Sequence, residues 1–246
     1  MNVSIDLVCK ECEKYINDLN QDENHRYRSW EHCYKQFNDA RKLNNPLDDE
    51  ELVDYLSLHL GFYLASTGMY RGTSFLMFKD YKFHKEIVEL LLSPVYADLY
   101  GIQWTDLSIE KRNYYLSLLF DKNGLVEEIT NTYNSLKSQP TQNRSKIKIN
   151  EQEVSEALIS KILLGTLGCV PAFEQNFKRI TSKINKGYAK FYAKSIDNLI
   201  DFYVENQNKL EEIRTKINND KNHHIVEYPQ MKIIDMIFWQ LGEDFL

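Results

Sequence analysis

The chain has 246 residues, 43% of them hydrophobic and 27% charged, and a formal net charge of −6. That length and balance describe a globular chain able to bury a core in one large or two small domains. The acidic total gives nucleic acid no general hold, so such binding would need a local basic patch. No stretch approaches the roughly 18 apolar residues of a membrane span, and no basic segment followed by an apolar core opens the chain. The expectation is a cytoplasmic protein without a membrane partner.

Glycine and proline number 9 and 5, too few for a chain of many tight turns. Ile5, Val8, Cys12, Ile16 and Leu19 recur at helical spacing, which predicts an amphipathic helix over 4–20. Tyr27, Trp30, Cys33, Phe37 and Ala40 give the next one face. Asp48 with Glu51 reads as a capping box for a helix to about Ser66. That helix is apolar nearly all round and is expected at the centre of the N-terminal half.

The turn Gly68–Ser74 brackets Arg71 with two glycines, and Thr73-Ser74 can cap the next helix. Helical pattern resumes to Leu99, with breaks expected at Asp80 and Pro94. Further helices are expected over 107–120 and 125–137. Residues 137–150 are polar and basic, and predict a linker or loop between subdomains 1–136 and 151–246. Asn150 with Glu153 caps a helix carrying Val154, Leu158, Ile162 and Leu163. A hairpin over Gly165–Pro171 leads into a helix at 171–183. A long helix is expected over 188–217, and a last apolar one over 230–241. No period-2 alternation argues for a sheet. The fold class is therefore all-α, about ten helices in a globular multi-helix bundle with a helix-hairpin-helix element near 160–180.

The stretch Ser160–Glu174 holds the densest set of special residues. It has Lys161 in an apolar run, Gly165 and Gly168 three apart, Pro171, and then Glu174. Two helices joined by a glycine turn can offer backbone N–H groups to a phosphate. Lys178, Arg179 and Lys183 come next, then Lys186, Lys190 and Lys194, with Tyr188, Phe191 and Tyr192 interleaved. A basic run with aromatics is a local nucleic-acid footprint.

This stretch resembles the helix-hairpin-helix DNA glycosylases, nearest to the bacterial 8-oxoguanine-glycosylase-like group. Leu164–Ala172 is similar to their hairpin, although its glycines stand three apart, not two. Ser160-Lys161 is similar to their lysine element, although it precedes the glycines. Glu174 stands where that group has aspartate. The resemblance implies an all-helical DNA-binding enzyme in which Lys161 attacks the sugar C1′ and Glu174 supports the developing charge or moves protons. The target base would be flipped out against Trp30 or Trp104, with Arg28, Arg71, Gly165, Gly168, Lys178, Arg179 and Lys183 on the DNA backbone.

Two other readings stand beside it. Arg26 and His32 have a spacing similar to the Arg–His pair of HEPN-type RNases, which cleave RNA without metal. A non-catalytic helical module that binds a protein or a small anion is the other. Cys9 and Cys12 form C-x-x-C, but Cys33 and Cys169 are single, and the histidines lack zinc spacing. No metal or cofactor is expected.

Overall fold

The computed structural model describes residues 5–22, 24–72, 74–138, 153–184, 186–219 and 225–244. Among these the chain is all-α. In chain order the helices are α1 (Ile5–Gln21), α2 (Arg28–Ala40), α3 (Glu50–Ser66), α4 (Lys85–Leu92), α5 (Ile109–Phe120) and α6 (Leu125–Ser138). They continue as α7 (Glu156–Thr166), α8 (Gln175–Ile184), α9 (Ala193–Glu205), α10 (Gln207–Asn219) and α11 (Gln230–Asp244).

Local chemistry sets most boundaries. Asp49, one residue beyond the expected cap, accepts from the Leu52 N–H at 3.0 Å and starts α3. Between α3 and α4 the chain makes short 3₁₀ turns over Phe75–Phe78 and Tyr81–His84 in place of one continuous helix. Asp80 caps the second of these, accepting from the Lys82 N–H at 2.8 Å. Pro94 opens a further 3₁₀ segment, so both expected breaks are present. Ser155 caps α7, accepting from the Leu158 N–H at 3.2 Å. The expected 188–217 helix is two helices. Asn206 interrupts it, donating its side-chain amide to the Phe202 carbonyl at 2.8 Å. The linker candidate falls outside the described residues from 139 on, as do Thr73 and Asn150.

α7 is the central helix. Every residue from Leu158 to Thr166 is buried, including Lys161. α3, expected at the centre of the N-terminal half, packs on α2, α4 and α7, but it is not buried all round and keeps Tyr55, Leu58 and Phe62 exposed along one side. α2 and α3 pack on α7, and α1 packs on α10 and α11. Both halves of the chain thus share one core.

The segment between α7 and α8 departs most from expectation. Pro171 does not open a helix, because α8 begins only at Gln175. Gly168, at φ +67°, ends α7 by donating its N–H to the Leu163 carbonyl at 2.9 Å. The chain then crosses the core and is held by long-range bonds. Leu167 and Cys169 carbonyls accept from the Gly101 N–H (2.8 Å) and the Trp104 indole (3.0 Å). The Ala172 N–H donates to Asp235 Oδ1 at 3.0 Å, and the Phe173 N–H to Ser160 Oγ at 2.8 Å. The helix-hairpin-helix expectation becomes a helix, a buried non-helical crossing and a helix.

Candidate functional site

The crossing delivers Glu174 to the wall of a cavity of about 390 Å³, a size suited to a small ligand. The C-terminal end of α3 and the turn after it form one side, with Tyr63, Thr67, Gly68 and Arg71. Arg26 and Tyr27 come from the turn before α2, Trp30 from its first turn, and Tyr15 from α1. α7 contributes Lys161, and α11 contributes Lys232, Asp235 and Trp239.

Two ion pairs stand in this wall. Lys161 Nζ lies 2.8 Å from Glu174 Oε2 and donates to the Thr67 carbonyl at 2.8 Å. The lysine side chain is 4% exposed and the glutamate 26%. Lys161 can be held this deep because both acceptors arrive from other elements. The second pair is Lys232 Nζ with Asp235 Oδ2 at 2.9 Å, one turn apart on α11. Lys232 also reaches the Tyr15 hydroxyl at 3.4 Å and lies over the Trp30 and Tyr15 rings, 5.0 and 5.3 Å from their centroids. Burial works against its charge, but Asp235 and Tyr15 outweigh that and hold it above the ordinary lysine range. Burial pushes the Tyr15 hydroxyl up as well.

Aromatic surfaces complete the wall. Tyr15 and Tyr27 stack at 5.0 Å and 7°, and Trp239 meets both edge-on at 6.4 and 5.1 Å. Arg26 covers the Tyr27 ring, 5.3 Å from its centroid. Trp30 is fixed by donating its indole N–H to the Leu164 carbonyl at 2.9 Å. Four cations and two carboxylates line one space, so the cavity is cationic within an acidic chain. Such a lining suits a planar ligand carrying anionic groups.

The residues singled out in the sequence divide cleanly. Lys161, Glu174, Arg71 and Trp30 come together in the cavity. Trp104 does not, being buried with its indole on Cys169. Arg28 turns inward, bonding the Leu19 carbonyl at 3.0 Å and Glu31 at 3.2 Å, and is a structural tie. Gly165 and Gly168 are buried, against Tyr63 and against Tyr34 with Pro229, so their backbone offers nothing to a phosphate. Lys178 pairs with Glu156, Arg179 bonds the Gly242 carbonyl at 3.4 Å, and Lys183 is exposed; all three lie on α8 outside the cavity wall. Arg26 lines the cavity but His32 is exposed outside it, so the Arg–His pair shares no site within one chain. Among the described residues, no three His, Cys, Asp or Glu side chains are grouped to hold a metal. No described helix is long and apolar enough to cross a membrane.

Tyr15, Tyr63, Lys232, Asp235 and Trp239 escape a reading of the sequence as a site. One signal was available: Lys232 and Asp235 interrupt the otherwise apolar run Met231–Trp239 at i,i+3 spacing. Compared with protein-family models, curated proteins and solved structures, the chain finds no match.

Proposed function

We propose that the protein acts on DNA in the manner of a base-excision glycosylase/lyase and receives one unstacked nucleoside in the α3–α7–α11 cavity. One observation carries the reading. Lys161 and Glu174, 13 residues apart, meet at 2.8 Å in the wall of an aromatic, cationic cavity. A lysine nucleophile needs a base beside it to hold its proton, and Glu174 is that base.

In this reading the Lys161 amine attacks C1′. The C1′–N bond to the base breaks, and its electron pair leaves on the base, which takes a proton. Glu174 relays the proton released by the amine. Opening of the sugar ring, with the C1′–O4′ electrons taking a proton at O4′, leaves a Schiff base between Lys161 and C1′. Stacking against Trp30 and Tyr27 offsets the loss of base stacking in the duplex. Arg26 and Arg71 at the same cavity are suited to the flanking phosphates.

The test is borohydride trapping on a panel of duplexes bearing damaged bases or abasic sites. Wild type forms a covalent adduct, Lys161→Arg forms none, and Glu174→Gln forms it slowly. No adduct and no low-salt binding across the panel would sink the reading.

A second reading, a non-catalytic anion-binding module, is favoured by the way both buried ammonium groups are already held by acceptors. It predicts reversible nucleotide or phosphate binding with no borohydride adduct.

A further inference from the structure

Tyr63 is only 2% exposed, yet it lines the cavity. Its hydroxyl makes no hydrogen bond among the described residues. Nor is that oxygen among the polar atoms that are both sealed from solvent and unpartnered, so it opens on the cavity. A buried tyrosine hydroxyl normally finds a partner in the protein. Here the partner must come from whatever fills the space.

The ring has little freedom to turn away. A Cβ on Gly165 would lie 2.3 Å from Tyr63 Cε1 and 2.7 Å from Cδ1, so the bare backbone of α7 forms the slot for the ring. This gives Gly165 a purpose other than phosphate contact. The charges that act on the hydroxyl are the Asp235 and Glu174 carboxylates, one from each ion pair of the same cavity. Burial, reinforced by those carboxylates, holds the phenol well above its ordinary pKa, and it stays a donor.

Most of the unspent capacity around this point belongs to donors. Asp235 uses one oxygen on the Ala172 N–H and the other on Lys232, and Glu174 Oε2 is taken by Lys161, which leaves Glu174 Oε1 as the open carboxylate oxygen of the wall. Lys161 has two acceptors within hydrogen-bond reach, Thr67 and Glu174, for three N–H groups, and Lys232 likewise has Asp235 and Tyr15. A carbonyl oxygen has two lone pairs and can accept from the phenol and an ammonium together. A bare ring nitrogen has one, and an exocyclic amine would confront donors with donors.

We propose that Tyr63 is the specificity-determining group of the cavity and that its hydroxyl donates to a ring carbonyl, so the site selects keto-bearing heterocycles over their amino counterparts. This rests on the cavity being a nucleoside site, but not on any covalent step.

Isothermal titration with inosine 5′-monophosphate, adenosine 5′-monophosphate and inorganic phosphate tests it. The two nucleotides differ at ring position 6, carbonyl against amine, and at the adjacent N1, which carries a proton in the first and is a bare acceptor in the second, so the Tyr63→Phe comparison is the deciding one. Wild type binds the inosine nucleotide about fivefold or more tightly than the adenosine one, the worth of roughly one hydrogen bond. Tyr63→Phe keeps the ring in its slot and the melting temperature of wild type, and binds the two equally. Equal affinities in wild type, an unchanged preference in Tyr63→Phe, or binding of phosphate but neither nucleotide would each overturn the assignment. Trapping on DNA is scored separately. A protein that prefers the keto nucleotide but forms no adduct loses the glycosylase reading and keeps this one. A protein that forms the adduct but shows no Tyr63-dependent preference does the reverse.

Discussion

Replacing Gly165 by alanine sets two effects of opposite sign against each other. Gly165 lies inside α7, where alanine should gain about 1 kcal/mol of helix propensity over glycine. Against this, the new Cβ would sit 2.3, 2.7 and 3.2 Å from three atoms of the Tyr63 ring. Carbon atoms rest at about 3.5–4.0 Å, so the ring or the helix must retreat by on the order of 1 Å. Tyr63 is buried and has no loose end to yield, and overpacking of this kind costs about 1–3 kcal/mol. Packing therefore wins, and Gly165→Ala is destabilised by about 1 kcal/mol net. The assay is urea unfolding at constant m. In a Tyr63→Ala background every ring atom of the clash is gone and the same substitution should stabilise, a reversal of sign that propensity alone cannot produce. A Gly165→Ala protein more stable than wild type would refute the packing argument and the ring slot with it.

Asp235→Ala strands the buried Lys232 ammonium and the Ala172 N–H together, and should cost about 3–5 kcal/mol in chemical denaturation. The double variant Lys232→Met with Asp235→Asn keeps an acceptor for Ala172, removes both charges and should be less damaged than Asp235→Ala alone. His84 is fully buried between the Tyr70 and Tyr133 hydroxyls at 2.6 and 2.7 Å, and burial pushes its pKa down from 6.5 to about 4. The unfolded chain thus takes the proton first. The neutral ring's stabilisation is whole above pH 6.5 and is lost as pH falls toward 4, about 3 kcal/mol in all. His84→Gln should remove that share of the decline, leaving a smaller one of the same sign from His59, whose pKa burial also lowers. If DNA is bound at the cavity, Arg26→Ala with Arg71→Ala should flatten the plot of log K against log salt by about 2, and an unchanged slope would place the phosphates elsewhere.

How much of this was readable beforehand depends on the range of the interactions. The helical class and most boundaries follow from period, caps and breakers within a few residues, as at Asp80 and Pro94, although α7 starts from Ser155 and not from the expected Asn150–Glu153 cap. Pro171 misleads because its surroundings are decided from afar. Trp104, Ser160 and Asp235 satisfy the backbone groups that a helix would otherwise have satisfied. Asn206 breaks a pattern that periodicity alone would have continued. At the site, Lys161 and Glu174 announce themselves by proximity in sequence. Tyr15, Tyr63 and Lys232 lie on three helices whose patterns look like ordinary core stripes. Only packing turns those stripes toward one space.

The partnership of α1 with α11 has a consequence for how the molecule is made. Tyr15 meets Lys232 across 217 positions of sequence, and Glu31 meets Tyr228 across 197. During synthesis α1 and α2 emerge long before their partners, and Lys161 appears before the helix that closes its cavity. Contacts this distant close slowly, because the loop entropy is lost before the contacts can repay it. The apolar faces of the early helices stay bare meanwhile and are open to aggregation or a chaperone. The cavity is thus among the last features of the fold to form, and a nascent chain released before α11 would have no site at all.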